Sequence, residues 1–135
     1  MTRFTTIARR SGQCALLTLS LALSACGPDE SPGLGLVTPE QLHSELASKD
    51  FLMIDVHVPY AGTLPQTDTS IPYTETEQLV SYVSDDLARK VVLTCLTDHM
   101  SAIAGNELVK RGYTAIRHLD GGMQAWEAAG FPIER

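Results

Sequence analysis

From residue 35 onward, apolar positions recur in two different periods, and the switches between them divide the chain into elements. Thr38-Pro39-Glu40-Gln41 places a hydroxyl cap, a proline at the first helical position and an amide that can reach back to the cap. Leu42, Leu46 and Ala47 then follow at helical spacing to about Lys49. Phe51-Leu52-Met53-Ile54 is a continuous apolar run ending at Asp55, the signature of a strand covered on both faces. Residues 57–74 contain Pro59, Gly62, Pro65 and Pro72 and predict a long irregular loop. In a compact domain such a loop is functional or tightly tied down. Leu79, Val80 and Val83 predict a helix from Glu75 to about Asp86, and Val91-Val92-Leu93-Thr94 predicts a strand that delivers Cys95 at its carboxyl end. A helix is expected from Ser101 through Arg111, stopped by Gly112. Ala115 to Leu119 reads as a short strand. Gly121-Gly122 turns the chain into a last helix from about Met123 to Ala129, closed by Gly130. This alternation predicts an α/β domain: an open, mostly parallel sheet flanked by helices on both faces.

The first 34 residues follow neither period. Residues 1–25 carry Arg3, Arg9 and Arg10 and no acid, followed by a largely apolar run from Cys14 to Leu23 and the small residues Ser24 and Ala25. A positive start, a short apolar middle and small residues before a cut form an export-signal pattern. The run is too short to span a membrane, which takes roughly 20 residues. Leu23-Ser24-Ala25-Cys26 resembles a bacterial lipobox, whose cysteine is acylated and becomes the new N-terminus. Arg9-Arg10 hints at twin-arginine export, but the residues that follow favour the general secretory route. An ordinary secreted protein cut near Ala25 is the competing reading. Residues 26–34, rich in Gly, Pro and acids, read as a lipidated tether to a domain spanning 35–135.

This division changes the composition. The whole chain has 135 residues, 16 acids, 10 bases and three cysteines, with a net charge of −6. Removing 25 residues leaves 110; losing three arginines leaves seven bases against 16 acids, a charge of −9. No basic field for nucleic acid exists, and one domain is the natural size. Cys14 leaves with the signal and Cys26 carries lipid, so Cys95 is the remaining free thiol. Several acyl chains together give stable anchoring. The expected location is therefore the bacterial cell envelope, on a membrane facing the periplasm, with the outer membrane favoured.

Ligands of open α/β sheets bind beyond the carboxyl ends of strands, where Cys95 stands. The residues after it, Leu96-Thr97-Asp98-His99-Met100-Ser101, run into a helix N-terminus, whose backbone N–H groups and dipole favour a thiolate, a persulfide or a bound oxyanion. A small apolar filler is the other role that position alone allows for Cys95. An oxidising compartment favours the reactive role, because an unpaired thiol there is a liability unless used or buried. Asp55 is expected to be a buried acceptor that organises the loops, with His57 as its strand-end partner. His99 reads as an exposed histidine, and His43 and His118 are placed on surface elements. His43 and His118 share no metal-ligand spacing with Cys95. Met123 and Trp126 are expected to pack in the last helix.

Val91 to Ile133 resembles the second half of a rhodanese-like sulfurtransferase domain. The matching features are the strand, cysteine, six-residue loop and helix, the helix end Lys110-Arg111-Gly112-Tyr113, Leu119-Asp120-Gly121-Gly122-Met123, and Ala125-Trp126-Glu127-Ala128-Ala129-Gly130-Phe131-Pro132. Upstream, the capped helix at Thr38 and Phe51–Val56 match the family's opening, with Asp55 at its usual aspartate. The resemblance implies Cys95 as nucleophile: it takes sulfane sulfur from a donor such as thiosulfate or a polysulfide, holds a persulfide, and yields it to cyanide or a thiol. The amides of Leu96, Thr97, Asp98, His99, Met100 and Ser101 would cradle the terminal sulfur, and the resemblance implies that no metal or organic cofactor is needed. Departures from the family pattern lie in the loop, where Leu96, Asp98 and Met100 replace a common Arg, Gly and Arg, and at Asp55-Val56-His57 in place of Asp-Val-Arg. A dianionic donor favours guanidinium partners, and the carboxylate of Asp98 opposes it. Weak activity toward thiosulfate is therefore expected. A binding or sulfur-sensing module is the alternative. Phosphatase chemistry on this fold requires an Arg where Ser101 stands, and disulfide exchange requires a second thiol. Both are set aside, and a protein partner is not indicated.

Overall fold

The computed structural model describes residues 33–135, so the expected signal segment and the lipobox cysteine Cys26 lie outside the described residues. The elements in order are β1 (Gly35–Val37), α1 (Pro39–Glu45), β2 (Leu52–Asp55), β3 (Thr69–Ser70), α2 (Thr76–Val83), β4 (Val91–Thr94), α3 (His99–Lys110), β5 (Ile116–Leu119) and α4 (Gly122–Ala128). The sheet order is β1-β5-β4-β2-β3, and every pairing is parallel. β4 is the middle strand, so the residue after it emerges at the centre of the sheet's carboxyl edge.

Period-two alternation in the strands builds two cores. Ile54, Val91, Leu93 and Ile116 face α2 and α3, packing with Leu79, Val83, Ala104 and Leu108. Met53, Val92, Leu119 and Val37 face the other way, onto Leu42 of α1 and Met123 and Trp126 of α4. Both faces are therefore covered by helices, as the unbroken apolar runs of β2 and β4 require. Trp126 donates its ring N–H to the Pro132 carbonyl at 2.8 Å, satisfying the polar end of a fully buried indole. The capping box at α1 forms as the sequence implies: the Gln41 amide N–H donates to Thr38 Oγ1, and the Thr38 N–H donates to Gln41 Oε1. α1 then tightens into a 3-10 turn over Leu46–Ser48.

Four sequence expectations change. β1 was not foreseen; its three residues bury only Val37, and Leu36 is exposed. Residues 57–74 are not wholly irregular, because Thr69–Ser70 pairs with Ile54–Asp55 as an edge strand. The segment is tied down by Ile71 N–H to the Asp55 carbonyl at 2.9 Å and Tyr73 N–H to the Val56 carbonyl at 3.0 Å. Asp68 holds its middle, accepting from Met53 N–H at 2.7 Å and Lys49 Nζ at 2.6 Å. α2 stops at Val83, short of the expected Asp86, because Ser84 turns out of the helix at φ 72°. α3 begins at His99, two residues before the expected Ser101, with Asp98 as its N-cap.

Candidate active site

Cys95 leaves β4 on the α2/α3 side of the sheet and is buried. The chain then crosses three residues before α3 starts, and this tight passage folds the helix N-terminus back over the sulfur. Ser101, in the first turn of α3, donates its backbone N–H to Cys95 Sγ at 3.4 Å, and its Oγ stands 3.4 Å from the same sulfur. Among the described residues, the N–H groups of Leu96, Thr97 and Asp98 find no hydrogen-bond partner. The His99 N–H is taken by Thr97 Oγ1 at 3.4 Å, and the Ala102 N–H by the Asp98 carbonyl at 2.9 Å. Of the six residues expected to form the cradle, Ser101 is therefore the one in contact with the sulfur. Leu96, Asp98 and Met100 are half-buried around it, and Thr97 and His99 are exposed. Leu96 turns to the opposite core, beside Met123 and Trp126.

α4 fixes the back of this loop. Met123 N–H donates to the Cys95 carbonyl at 2.8 Å and Gln124 N–H to the Leu96 carbonyl at 3.0 Å. These two donors at the N-terminus of α4 hold the Cys95 and Leu96 carbonyls in place. The approach is possible only at glycine. Gly122 has φ +60°, and a Cβ there would overlap the Thr97 carbonyl. Sequence pattern marks Gly121-Gly122 as a turn but does not reveal this grip. Its signal was two successive glycines immediately before a helix on the strand adjoining β4.

His118 was placed on a surface element, and the structure corrects this. Alternation along β5 puts His118 on the same face as Ile116, under α3, where the residue is buried. Its Nδ1 lies 3.3 Å from Ser101 Oγ, so sulfur, hydroxyl and imidazole form one continuous chain. Burial holds the His118 imidazole below its ordinary value, opposed by the carboxylates of Asp98 and Asp120. Ser101 Oγ also donates to the Asp98 carbonyl at 3.0 Å. His43 does lie at the surface, stacked on Phe131 at 4.1 Å between ring centroids.

Asp55 ends β2 directly beside Thr94 in the β4 register and is fully buried. Its Oδ1 accepts the His57 backbone N–H at 3.2 Å, and Ser70 Oγ stands 3.5 Å from Oδ2. Burial pushes the Asp55 carboxyl above its ordinary value, against the lowering effect of the His57 N–H, the His57 ring and Ser70. His57 thus acts through its main chain, fixing the start of the loop after β2. No group of three or more metal-ligating side chains occurs among the described residues.

This arrangement is a cysteine at the carboxyl end of the middle strand of a parallel sheet, under the N-terminus of the following helix. Residues 38–129 match the rhodanese-like domain family, and the chain belongs to that family. Its fold is shared by solved structures from several organisms. A rhodanese-like domain protein from Staphylococcus aureus is 23% identical with a TM-score of 0.61, over 75% of this chain and 99% of that one. A thiosulfate sulfurtransferase from Pseudomonas aeruginosa is 24% identical with a TM-score of 0.62, over 74% of this chain and 19% of that one. A Rhodopseudomonas palustris protein described as a possible tyrosine phosphatase is 22% identical with a TM-score of 0.63, over 75% of this chain and 85% of that one. At these identities the likeness establishes the fold, which hosts more than one chemistry, and function is argued from the site.

Proposed function

We propose that this chain is a lipid-anchored sulfurtransferase of the bacterial cell envelope that carries sulfane sulfur as a persulfide on Cys95. The observation that carries this reading is the sulfur's setting: Cys95 Sγ accepts the Ser101 N–H, beside loop N–H groups that have no other partner. A backbone donor at a helix N-terminus favours a monoanionic sulfur without a metal or cofactor. The Cys95 thiolate attacks the outer sulfur of thiosulfate, the S–S bond to the sulfonate breaks, and sulfite departs with the electron pair. Cyanide or a thiolate then attacks the outer persulfide sulfur, taking it as thiocyanate or a new persulfide and returning the Cys95 thiolate.

The loop also argues for which donor is preferred. Residues 95–101 contain no Lys or Arg but do contain the half-buried Asp98. A dianion meets a carboxylate in this loop and no guanidinium, so a donor of lower charge is favoured over thiosulfate. The same absence of a guanidinium at position 101 removes the phosphate partner that phosphatase chemistry on this fold would use. Envelope location rests on the lipobox at Leu23–Cys26 and the signal pattern before it.

The test is intact-mass analysis of the purified protein after incubation with thiosulfate or a polysulfide. Cys95 is expected to gain one sulfur atom, which cyanide removes as thiocyanate, and Cys95→Ala is expected to abolish both. Failure of either donor to load Cys95, or unchanged turnover in Cys95→Ala, would leave a non-enzymatic binding or sensing module.

A further inference from the structure

The chain of contacts from Cys95 Sγ to Ser101 Oγ to His118 Nδ1, at 3.4 and 3.3 Å, is buried from end to end. The first-turn hydroxyl is held between sulfur and ring by its own carbonyl contact to Asp98, so the three groups cannot drift independently. His118 reaches this position because β5 lies beside β4 and directs its even-numbered positions toward α3. We propose that His118 is a positioning residue of the site, taking up the Cys95 proton through the Ser101 hydroxyl and so setting the pH at which the sulfur reacts.

The step balances. The Ser101 O–H swings from the Asp98 carbonyl toward His118 Nδ1, and the thiol proton passes to Ser101 Oγ as the hydroxyl proton passes to the ring. Thiol plus imidazole becomes thiolate plus imidazolium, and the serine is regenerated. Ser101 then offers its new O–H to the sulfur while its main-chain N–H still points there. When the persulfide gives up its sulfur to a protonated thiol acceptor, the acceptor's proton can return along the same path. The charged groups that act on His118 are Asp98, from the loop before α3, and Asp120, just past β5. Both favour the imidazolium. Leu36 of β1 and Leu93 of β4, its register neighbours on either side, carry no charge. Burial opposes the charge and is the largest of these effects.

The inference rests on Cys95 being the reacting group of the proposed function, but its test uses a reagent that requires no sulfur transfer. The full-length protein is alkylated with iodoacetamide across the pH range, and the rate at Cys95 is read by peptide mapping, so that Cys14 and Cys26 do not contribute. His118→Gln retains an acceptor for Ser101 but cannot take a proton. It is expected to move the half-maximal pH upward by about one unit, roughly a tenfold slower reaction at neutral pH, with the alkaline limiting rate unchanged. Ser101→Ala is expected to act in the same direction, and the double variant to add little to the larger single effect. A wild-type profile in His118→Gln, or additive shifts in the double variant, would overturn the relay. In the wild-type protein, a histidine nitrogen NMR titration checks the same coupling without substitution. Blocking Cys95 is expected to move the His118 midpoint, and an unmoved midpoint also refutes it. Shifted profiles with no sulfur loading would retain the relay and remove the carrier reading; loading with an unshifted profile would do the reverse.

Discussion

Asp98 lies in the loop three residues past the sulfur, and Leu96 follows the sulfur directly but packs against the opposite core. Both are half-buried, so a charge at either is poorly screened. Replacing Leu96 with Arg and Asp98 with Gly adds a guanidinium and removes the carboxylate. The rate of Cys95 persulfidation by thiosulfate is expected to rise about tenfold or more, consistent with one charge-assisted hydrogen bond. No gain in a loading assay would show that loop charge does not limit the donor. Asp55 makes a prediction of the opposite kind, about stability. Burial raises its folded value, so the protein binds that proton more tightly folded than unfolded. The associated stability is present at low pH and is lost as pH rises through the raised value. Asp55→Asn, which keeps an acceptor for the His57 N–H, is therefore expected to match or exceed wild-type stability at pH 7. The advantage in denaturant midpoint should vanish as pH falls to about 3, below the unfolded value.

At the scale of elements, legibility followed the length and contrast of each pattern. β2, β4 and the capped α1 were plain because each combines a run of apolar residues with a clear stop or cap. β1 and β3 were not, because an edge or near-edge strand of two or three residues has too few positions to show a period, and β3 is polar. The α3 start was displaced because Asp98 caps the helix through geometry without a side-chain hydrogen bond, leaving no capping signature to read. His118 was legible in principle: Ile116 and His118 share a parity, and a strand between two others must bury that face. The grip of α4 on the loop was not, since main-chain bonds to main-chain carbonyls leave no trace in residue type except Gly122. That glycine gives the test of the grip. Gly122→Ala must overlap the Thr97 carbonyl and hold a left-handed conformation. A loss of more than about 2 kcal/mol in a denaturant titration is expected, together with slower persulfidation of Cys95. A variant of wild-type stability and rate would mean the loop needs no such support.

On the proposed reading the molecule joins two unlike parts, an amino-terminal address and a rhodanese-like domain. The described residues contain no helix long and apolar enough to cross a membrane. On the proposed reading Cys26 carries the attachment. Cys26→Ser is expected to shift the protein from the membrane pellet to the soluble fraction of lysed cells, without changing the persulfidation rate at Cys95. Continued pelleting of that variant would remove the lipid anchor from the proposal. The α4 grip also has a consequence in time. Synthesis runs from the amino end, so the Cys95 sulfur emerges before Met123 and Gln124 exist to orient the loop around it. Until α4 docks, the Cys95 and Leu96 carbonyls lack the donors that hold them, so the geometry of the loop waits on a helix made nearly thirty residues after the sulfur.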